Sequence, residues 1–322
     1  MDIKTHQRKR IGYLTLDKPE TLNALTESMI DELTEGLQRF ESDDSVEAVV
    51  INSSSSRAFC AGGDMKRIRE LSLNNDKAAI DSFFEKEYAL NLAIAECSKP
   101  FIAVIDGVAM GGGLGLSVHG SHRIVTERAV MAMPETRIGF FPDVGGSFFL
   151  PALVANAGRW LAMTAAPVRG YETVSVGLGT HFVDSAHLES LLLELENSDT
   201  VAVSTIIENL SETHSNPEYL QLLEQRSHWF SHQSVEDIRA ALRQAQPNNE
   251  DAAFLLKLLD GASPYSIATT LNLFANTQGL SLEDCLKHEK TASMEAAFHP
   301  DFIEGVRAVL VDKDRNPQWQ SS

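Results

Sequence analysis

In the first third of the chain, short runs that are apolar or β-branched at most positions alternate with longer amphipathic stretches. Residues 11–16, 47–52 and 101–106 read as strands, because β-branched side chains fit a pleated surface. Between the first two, Leu25, Met29, Leu33 and Leu37 recur every four residues with acidic residues opposite. That spacing lays one apolar stripe along a helix, predicted over residues 25–40. Strands alternating with helices predict an α/β class. After about residue 186 the strand signal fades, and Asn-Pro, Gln-Pro-Asn-Asn and Ala-Ser-Pro punctuate amphipathic runs, so the C-terminal third is predicted helical. Two helix starts there are explicit: Ser263 caps a helix with Pro264 at its first position, and Ser281 with Asp284 fits a capping box. No internal repeat is visible, and the four serines at 53–56 read as a surface loop after a strand.

Composition acts mainly by exclusion. Against 45 Asp+Glu there are 27 Lys+Arg, a formal net charge of −18 over 322 residues. Nonspecific affinity for nucleic acid comes from cations displacing phosphate counterions, so no nucleic-acid partner is expected. The most apolar stretch, residues 101–118, is broken by Asp106 and three consecutive glycines. It falls short of the roughly 20 continuous apolar residues that span a bilayer, so no membrane partner is expected. The first ten residues lack the apolar core of a signal peptide. Cys60, Cys97 and Cys285 are odd in number, far apart and without metal-ligand spacing, which suits reduced thiols. A cytoplasmic setting is the expectation, with no metal site.

Three segments carry candidate chemistry. The first, Arg57-Ala-Phe-Cys-Ala-Gly-Gly-Asp-Met-Lys66, follows a buried-type strand and leads into a helical stretch over residues 65–71. Without Cβ atoms, Gly62 and Gly63 let a ligand approach the main chain, and the helix beyond adds positive partial charge. A tight strand-to-helix turn explains the pair equally well. The second, Met110-Gly-Gly-Gly-Leu-Gly-Leu116, sets four glycines in five positions where a helix should begin. Each costs about 0.5 to 1 kcal/mol against alanine in a helix, so close backbone approach explains them better than chance. Their spacing matches neither the P-loop nor the dinucleotide fingerprint. Two such turns brought together would pair N–H donors on an oxygen derived from a carbonyl. The third, residues 133–146, places Glu135 and Asp143 on either side of an apolar Ile-Gly-Phe-Phe-Pro stretch. Partial burial there would raise a carboxyl pKa toward the range of acid–base work; a capping carboxylate at a turn is the other reading of each.

With these segments in this order, the sequence resembles the crotonase superfamily, also called the enoyl-CoA hydratase/isomerase family. The resemblance implies an α/β fold with a crotonase-like ββα spiral core over residues 1–190 and a helical C-terminal region, 191–322, packing on the active site. It also implies stabilisation of a coenzyme A thioester enolate or tetrahedral oxyanion. The oxyanion hole it implies is the N–H of Gly63, in Phe59-Cys-Ala-Gly-Gly-Asp64, with that of Gly112, the middle glycine of the triplet. Hydratases of the family carry two glutamates, one where this chain has Gly115 and one where it has Glu135. With the first missing, addition of water across a C=C bond loses a partner.

Met110-Gly-Gly-Gly-Leu-Gly-Leu-Ser-Val-His-Gly120, Met133-Pro-Glu-Thr136, Phe141-Pro-Asp-Val-Gly-Gly146 and the closing run 301–319 look like the branch that hydrolyses 3-hydroxyisobutyryl-CoA. This likeness covers nearly the whole chain. It implies thioester hydrolysis within valine catabolism, with Glu135 and Asp143 catalytic and Glu87, in Phe84-Glu-Lys-Glu-Tyr88, contacting substrate. An acyl-CoA is then the partner, and coenzyme A arrives as part of it, so no separate cofactor is implied. Relatives of this fold form trimers or pairs of trimers, which leaves a homo-oligomer open. The alternatives are an enoyl-CoA hydratase or isomerase, opposed by Gly115, and a non-catalytic acyl-CoA-binding paralogue, opposed by two carboxylates that a binder does not need.

Other signals carry less. Lys66, Arg67 and Arg69 are candidates to meet the coenzyme A phosphates, or one solvated helix face. His119 and His122 are three apart but lack a third ligand. Asp312, Asp314 and Asn316 mimic the start of a calcium loop, yet Pro317 stands where the glycine is needed. The apolar run 306–311 is expected to pack as core.

Overall fold

The computed structural model describes residues 2–198, 200–214 and 216–320. Its strands are β1 (Ile3–Arg8), β2 (Ile11–Leu16), β3 (Ala48–Ser53), β4 (Ala58–Cys60), β5 (Phe101–Ile105), β6 (Val108–Met110), β7 (His122–Val125), β8 (Val130–Ala132), β9 (Val168–Arg169) and β10 (His181–Phe182). Six form one sheet in the order β1-β2-β3-β5-β7-β10, and four form a second in the order β4-β6-β8-β9. In the larger sheet only β1 and β2 run antiparallel; β2, β3, β5, β7 and β10 are parallel neighbours. Parallel strands are covered on both faces, which is why these runs are apolar throughout.

A repeat appears that the sequence conceals. The pairs β3–β4, β5–β6 and β7–β8 each send their first strand to the six-stranded sheet and their second to the four-stranded one. What repeats is a path of the backbone, and each turn of it carries different side chains. The expectation of no repeat holds for residue identities and fails for geometry.

The chain divides into two compact units, both discontinuous in sequence. The first comprises Met1–Gly63, Lys86–Met131 and Val168–Ser215. Its large sheet buries Ile11, Tyr13, Val50, Ile102, Val104 and Ile124 against Leu191, Leu195, Ile206 and Ile207. These last four lie on the helices Leu188–Asn197 and Val203–Leu210. Each such side chain contributes about 1.5 to 3 kcal/mol on leaving water. On β2, Gly12 makes room for the helix Glu27–Ser42: a Cβ there would lie 2.6 Å from the Phe40 ring. That helix starts at the Thr26 cap, two residues later than the apolar stripe suggests, and Leu25 instead donates its N–H to the Gly62 carbonyl at 2.8 Å.

Asn23 organises the turn before this helix. It is fully buried at φ 57°, a left-handed conformation that asparagine tolerates. Its Nδ2 donates to Ser53 Oγ and to the Phe59 carbonyl, both at 2.8 Å, and its Oδ1 accepts the Lys18 N–H at 2.8 Å. Beside it the Cys60 thiol donates to the Asn23 carbonyl and the Ala61 N–H to that of Leu22. The loop leading to Gly63 is thereby tied to a rigid corner.

The second unit comprises Asp64–Glu85, Ala132–Pro167 and Asn216–Ser322, and among the described residues no strand follows Phe182. Ser263 and Ser281 cap their helices as the sequence predicts, accepting the N–H groups of Ser266 and Asp284. Arg226 lies 4.5 Å from the centroid of the buried Trp160 ring and forks onto both oxygens of Asp251. The run 306–311 meets the core expectation at Val306 and Ala308, both fully buried, and departs from it toward its end. Its last five residues form a π-helical turn, Arg307–Val311, and Val311 is 46% exposed. Arg307 turns out to pair with Glu304, Asp312 and Asp314, so the acids that resemble a calcium loop hold a cationic side chain. No helix among the described residues is long and apolar enough to cross a membrane.

Removing the Asn23 side chain leaves buried donors and acceptors unsatisfied at β4 and the preceding turn. Asn23→Ala is expected to cost about 3 kcal/mol of stability, read from chemical denaturation midpoints.

Candidate active site

In the first unit, two of the predicted backbone donors and one predicted carboxylate meet. A Cβ built on Gly112 would lie 3.2 Å from the Gly63 nitrogen and 2.5 Å from Glu87 Oε1. A side chain at 112 would displace the Glu87 carboxylate, and the space that glycine leaves is bordered by the Gly63 amide and that carboxylate. Gly112 opens the one-turn helix Gly112–Gly115, so its N–H has no carbonyl one turn back to bond. The next residue is under the same constraint: a Cβ on Gly113 would lie 2.3 Å from the Cys60 carbonyl oxygen. Gly62 adopts φ +100° and Gly111 φ +49°, so both turns use backbone that side chains disfavour. Gly115 is buried at the end of the short helix. Glu87 lies on the helix Lys77–Glu96 and is 2% exposed. Burial pushes the Cys60 thiol up to about 12, opposed by the Gly62 N–H and reinforced by the Glu87 charge, so this cysteine is held as an inert thiol.

In the second unit, Glu135 and Asp143 are 7% and 6% exposed, which fits the burial expected of carboxyl groups flanking an apolar stretch. Glu135 begins the 3-10 turn Glu135–Arg137, and its own carbonyl accepts the N–H groups of both Ile138 and Phe140. Several contacts fix that turn. The Thr136 carbonyl accepts the Ser263 N–H at 2.9 Å, and the Ser263 hydroxyl donates to the buried Asp301 at 2.5 Å. Gly139, at φ +74°, lies so close to the helix Pro300–Val306 that a Cβ would stand 2.1 Å from the Asp301 carbonyl oxygen. Phe140 stacks on Phe84 and Phe141 and tilts against Phe302. Asp143 is followed by Val144 at φ +52° and Gly145 at φ +83°, and its carbonyl accepts the Gly146 N–H at 2.8 Å.

Two buried polar residues escape the sequence reading. Glu289, fully buried, accepts the Gly145 N–H at 2.7 Å, the Ser147 N–H at 2.8 Å and the Ser147 hydroxyl at 2.5 Å. Burial pushes its pKa up to about 8; the Ser147 and Gly145 donors oppose the rise and the Asp143 charge adds to it. A signal exists in the sequence: Cys285, Leu286, Glu289, Ser293 and Ala296 are the buried stripe of the helix Leu282–Ala296, an acid on an apolar face. Asn91, one turn after Glu87, is fully buried with neither amide atom bonded among the described residues.

Of the other candidates, Arg69 donates its Nε–H to the Ile303 carbonyl at 2.8 Å, while Arg67 pairs with Glu70 in solvent. His122 sits on β7 stacked 5.6 Å from His181, and burial lowers the pKa of both rings. Among the described residues no three His, Cys, Asp or Glu side chains gather as a metal ion requires. A cleft of about 730 Å³ in the second unit, lined by Ser147, Phe148, Arg159 and Phe274 among others, holds none of the five predicted site residues.

A family model described as Enoyl-CoA hydratase/isomerase matches residues 11–322. The chain is similar to the mitochondrial 3-hydroxyisobutyryl-CoA hydrolase of Homo sapiens, at 39% identity over 317 residues, 96% of this chain and 81% of that protein. Its likeness to the mitochondrial 3-hydroxyisobutyryl-CoA hydrolase of Gallus gallus is 37% over 327 residues, 99% of this chain and 84% of that one. A solved structure titled carnitinyl-CoA dehydratase, from Mycobacterium thermoresistibile, superposes with a TM-score of 0.91 at 32% identity, covering 99% of this chain and 91% of the other. The α/β spiral fold with a helical C-terminal region is thus as expected. The cytoplasmic expectation is corrected: both relatives are mitochondrial by name, which points to the mitochondrion. That expectation rested on the lack of a signal-peptide core and on reduced cysteines, and free thiols report a reducing compartment without saying which one.

The Glu289 shift has a consequence for stability. The folded protein holds this proton well above the ordinary value of 4.5, so between about pH 5 and about pH 8 the folded state binds more protons than the unfolded one. Stability from this group is therefore full at low pH and is lost as pH rises toward 8. Unfolding free energies of the unaltered chain and Glu289→Gln, compared at each pH, should show the unaltered chain losing ground steadily from pH 5 to 8 and no further above it.

Proposed function

The chain belongs to the enoyl-CoA hydratase/isomerase family, and within it we propose that it hydrolyses the thioester of 3-hydroxyisobutyryl-CoA to 3-hydroxyisobutyrate and free coenzyme A. The observation that carries this reading is the likeness to 3-hydroxyisobutyryl-CoA hydrolases across nearly the whole chain. Gly115 supports it, because a hydratase would hold a second acid there. The substrate places the reaction in valine breakdown. Coenzyme A is carried by the substrate, and the reaction as proposed calls for no further cofactor.

The N–H groups of Gly63 and Gly112 hold the thioester oxygen as it gains negative charge. Losing one such donor typically costs about 3 to 4 kcal/mol in the barrier. Glu135 is the central group. As nucleophile it attacks the carbonyl carbon, expels the coenzyme A thiolate and leaves an anhydride that water opens; as general base it takes a proton from the water that attacks directly. Asp143 positions the substrate hydroxyl or the water, and Glu87 contacts the substrate. The cost of burying these carboxyls is accepted for chemistry that needs them.

Purified protein should release free thiol from 3-hydroxyisobutyryl-CoA while leaving the conjugated absorbance of crotonyl-CoA unchanged. Loss of that absorbance without thiol release would assign a hydratase instead. Glu135→Gln should lower thiol release by about a thousandfold or more with an unchanged melting temperature. Hydrolysis at the unaltered rate by this variant would remove Glu135 from the mechanism.

A further inference from the structure

Glu289 commits both carboxyl oxygens to one loop. Its Oε2 accepts from the Gly145 N–H, and its Oε1 accepts from both the N–H and the hydroxyl of Ser147. The loop begins at Asp143, two residues before the first of these contacts. Its backbone is strained, since Val144 stands at φ +52°. A β-branched residue in that region costs on the order of 1 to 3 kcal/mol and persists only where surrounding contacts over-determine it. Gly145 continues the turn at φ +83°.

A methionine or leucine at 289 would fill similar space without the cost of burying a carboxyl group. The three donors that Glu289 meets are what account for an acid at this place. The groups around it are otherwise quiet. The neighbouring helices Gly146–Phe149 and Pro264–Asn276 contain no Asp, Glu, Lys, Arg or His. Cys285, one turn back on its own helix, is held as a thiol by burial. Lys290, the next residue, turns away to Glu85 and Asp81. Asp143 is the charge that Glu289 feels from the loop.

We infer that Glu289 is a positioning residue for the hydrolysis: by gripping Gly145 and Ser147 it holds the strained turn at Val144 and so fixes where Asp143 points. This rests on the role given to Asp143 above. Both oxygens of Glu289 are taken by the loop, so its loss should act through Asp143 and chiefly on the chemical step.

At pH 9, where Glu289 is ionised, Glu289→Gln keeps the shape but sets an amide NH₂ against the Gly145 N–H or the Ser147 donors. The expected result is a kcat at least tenfold lower, with KM changed by less than threefold. Hydrogen exchange at the Gly145 and Ser147 amides should be at least tenfold faster. Ser147→Ala, which removes one of the three bonds and keeps both backbone contacts, should lower kcat by no more than about threefold. A kcat for Glu289→Gln within twofold of the unaltered protein overturns the inference, as does a fall in kcat that is no larger than the fraction of the variant found unfolded at the assay temperature. If the unaltered protein releases no thiol, the proposed function fails instead, and amide exchange alone decides the grip: unchanged protection in Glu289→Gln overturns it.

Discussion

Backbone passes backbone in this protein at distances that no Cβ permits, and both sets of candidate site residues depend on it. In the first unit, Gly113 presses on the Cys60 carbonyl, which lets Gly112 stand beside the Gly63 amide. In the second, Gly139 presses on the Asp301 carbonyl and Gly305 on Ile138, which seats the turn bearing Glu135 on the helix Pro300–Val306. At each place an alanine methyl would have to occupy space already held by a carbonyl group. Main-chain atoms cannot rotate away as a side chain can, so the cost would fall on the whole packed region.

Close approach of this kind fixes backbone amides in place. Amides fixed in advance need no reorganisation as charge develops, which is the source of most oxyanion stabilisation. The corner at Asn23 serves the same end from the other side, tying the Gly62–Gly63 turn to β3 and β4 through buried hydrogen bonds. The carboxyl groups are handled differently. Glu87, Glu135, Asp143 and Glu289 are all buried, and burial of a carboxyl is costly unless donors or chemistry require it. Glu289 meets three donors, and the other three carboxyls are the groups proposed for the reaction.

Much of this was legible along the chain. The three glycine and carboxylate segments could be found from residue types alone, because glycine at four of five positions and acids amid aromatics conflict with local propensity. The helix caps at Ser263 and Ser281 were equally plain, since capping is decided within four residues. Glu289 was less so: the helical stripe shows it on the buried side, yet nothing within the helix indicates donors at Gly145 and Ser147, over 140 residues away. Leu25 illustrates the reverse error, an apolar position that fits the helical stripe and instead pairs with the strand-like Gly62–Gly63 loop.

The sequence by itself determined the class of fold, the identity of the candidate groups and the kind of chemistry they suit, because these follow from residue type and spacing within short windows. Compartment was beyond such reasoning, since thiols respond to redox conditions and not to address. Only the tertiary structure decided that strands β3, β5 and β7 share one sheet while their followers share another. It alone decided that residues 64–85 and 132–167 gather with the C-terminal helices into one unit. Both outcomes depend on packing between segments far apart in the chain, where the controlling quantity is the fit of backbone surfaces and not the preference of any residue.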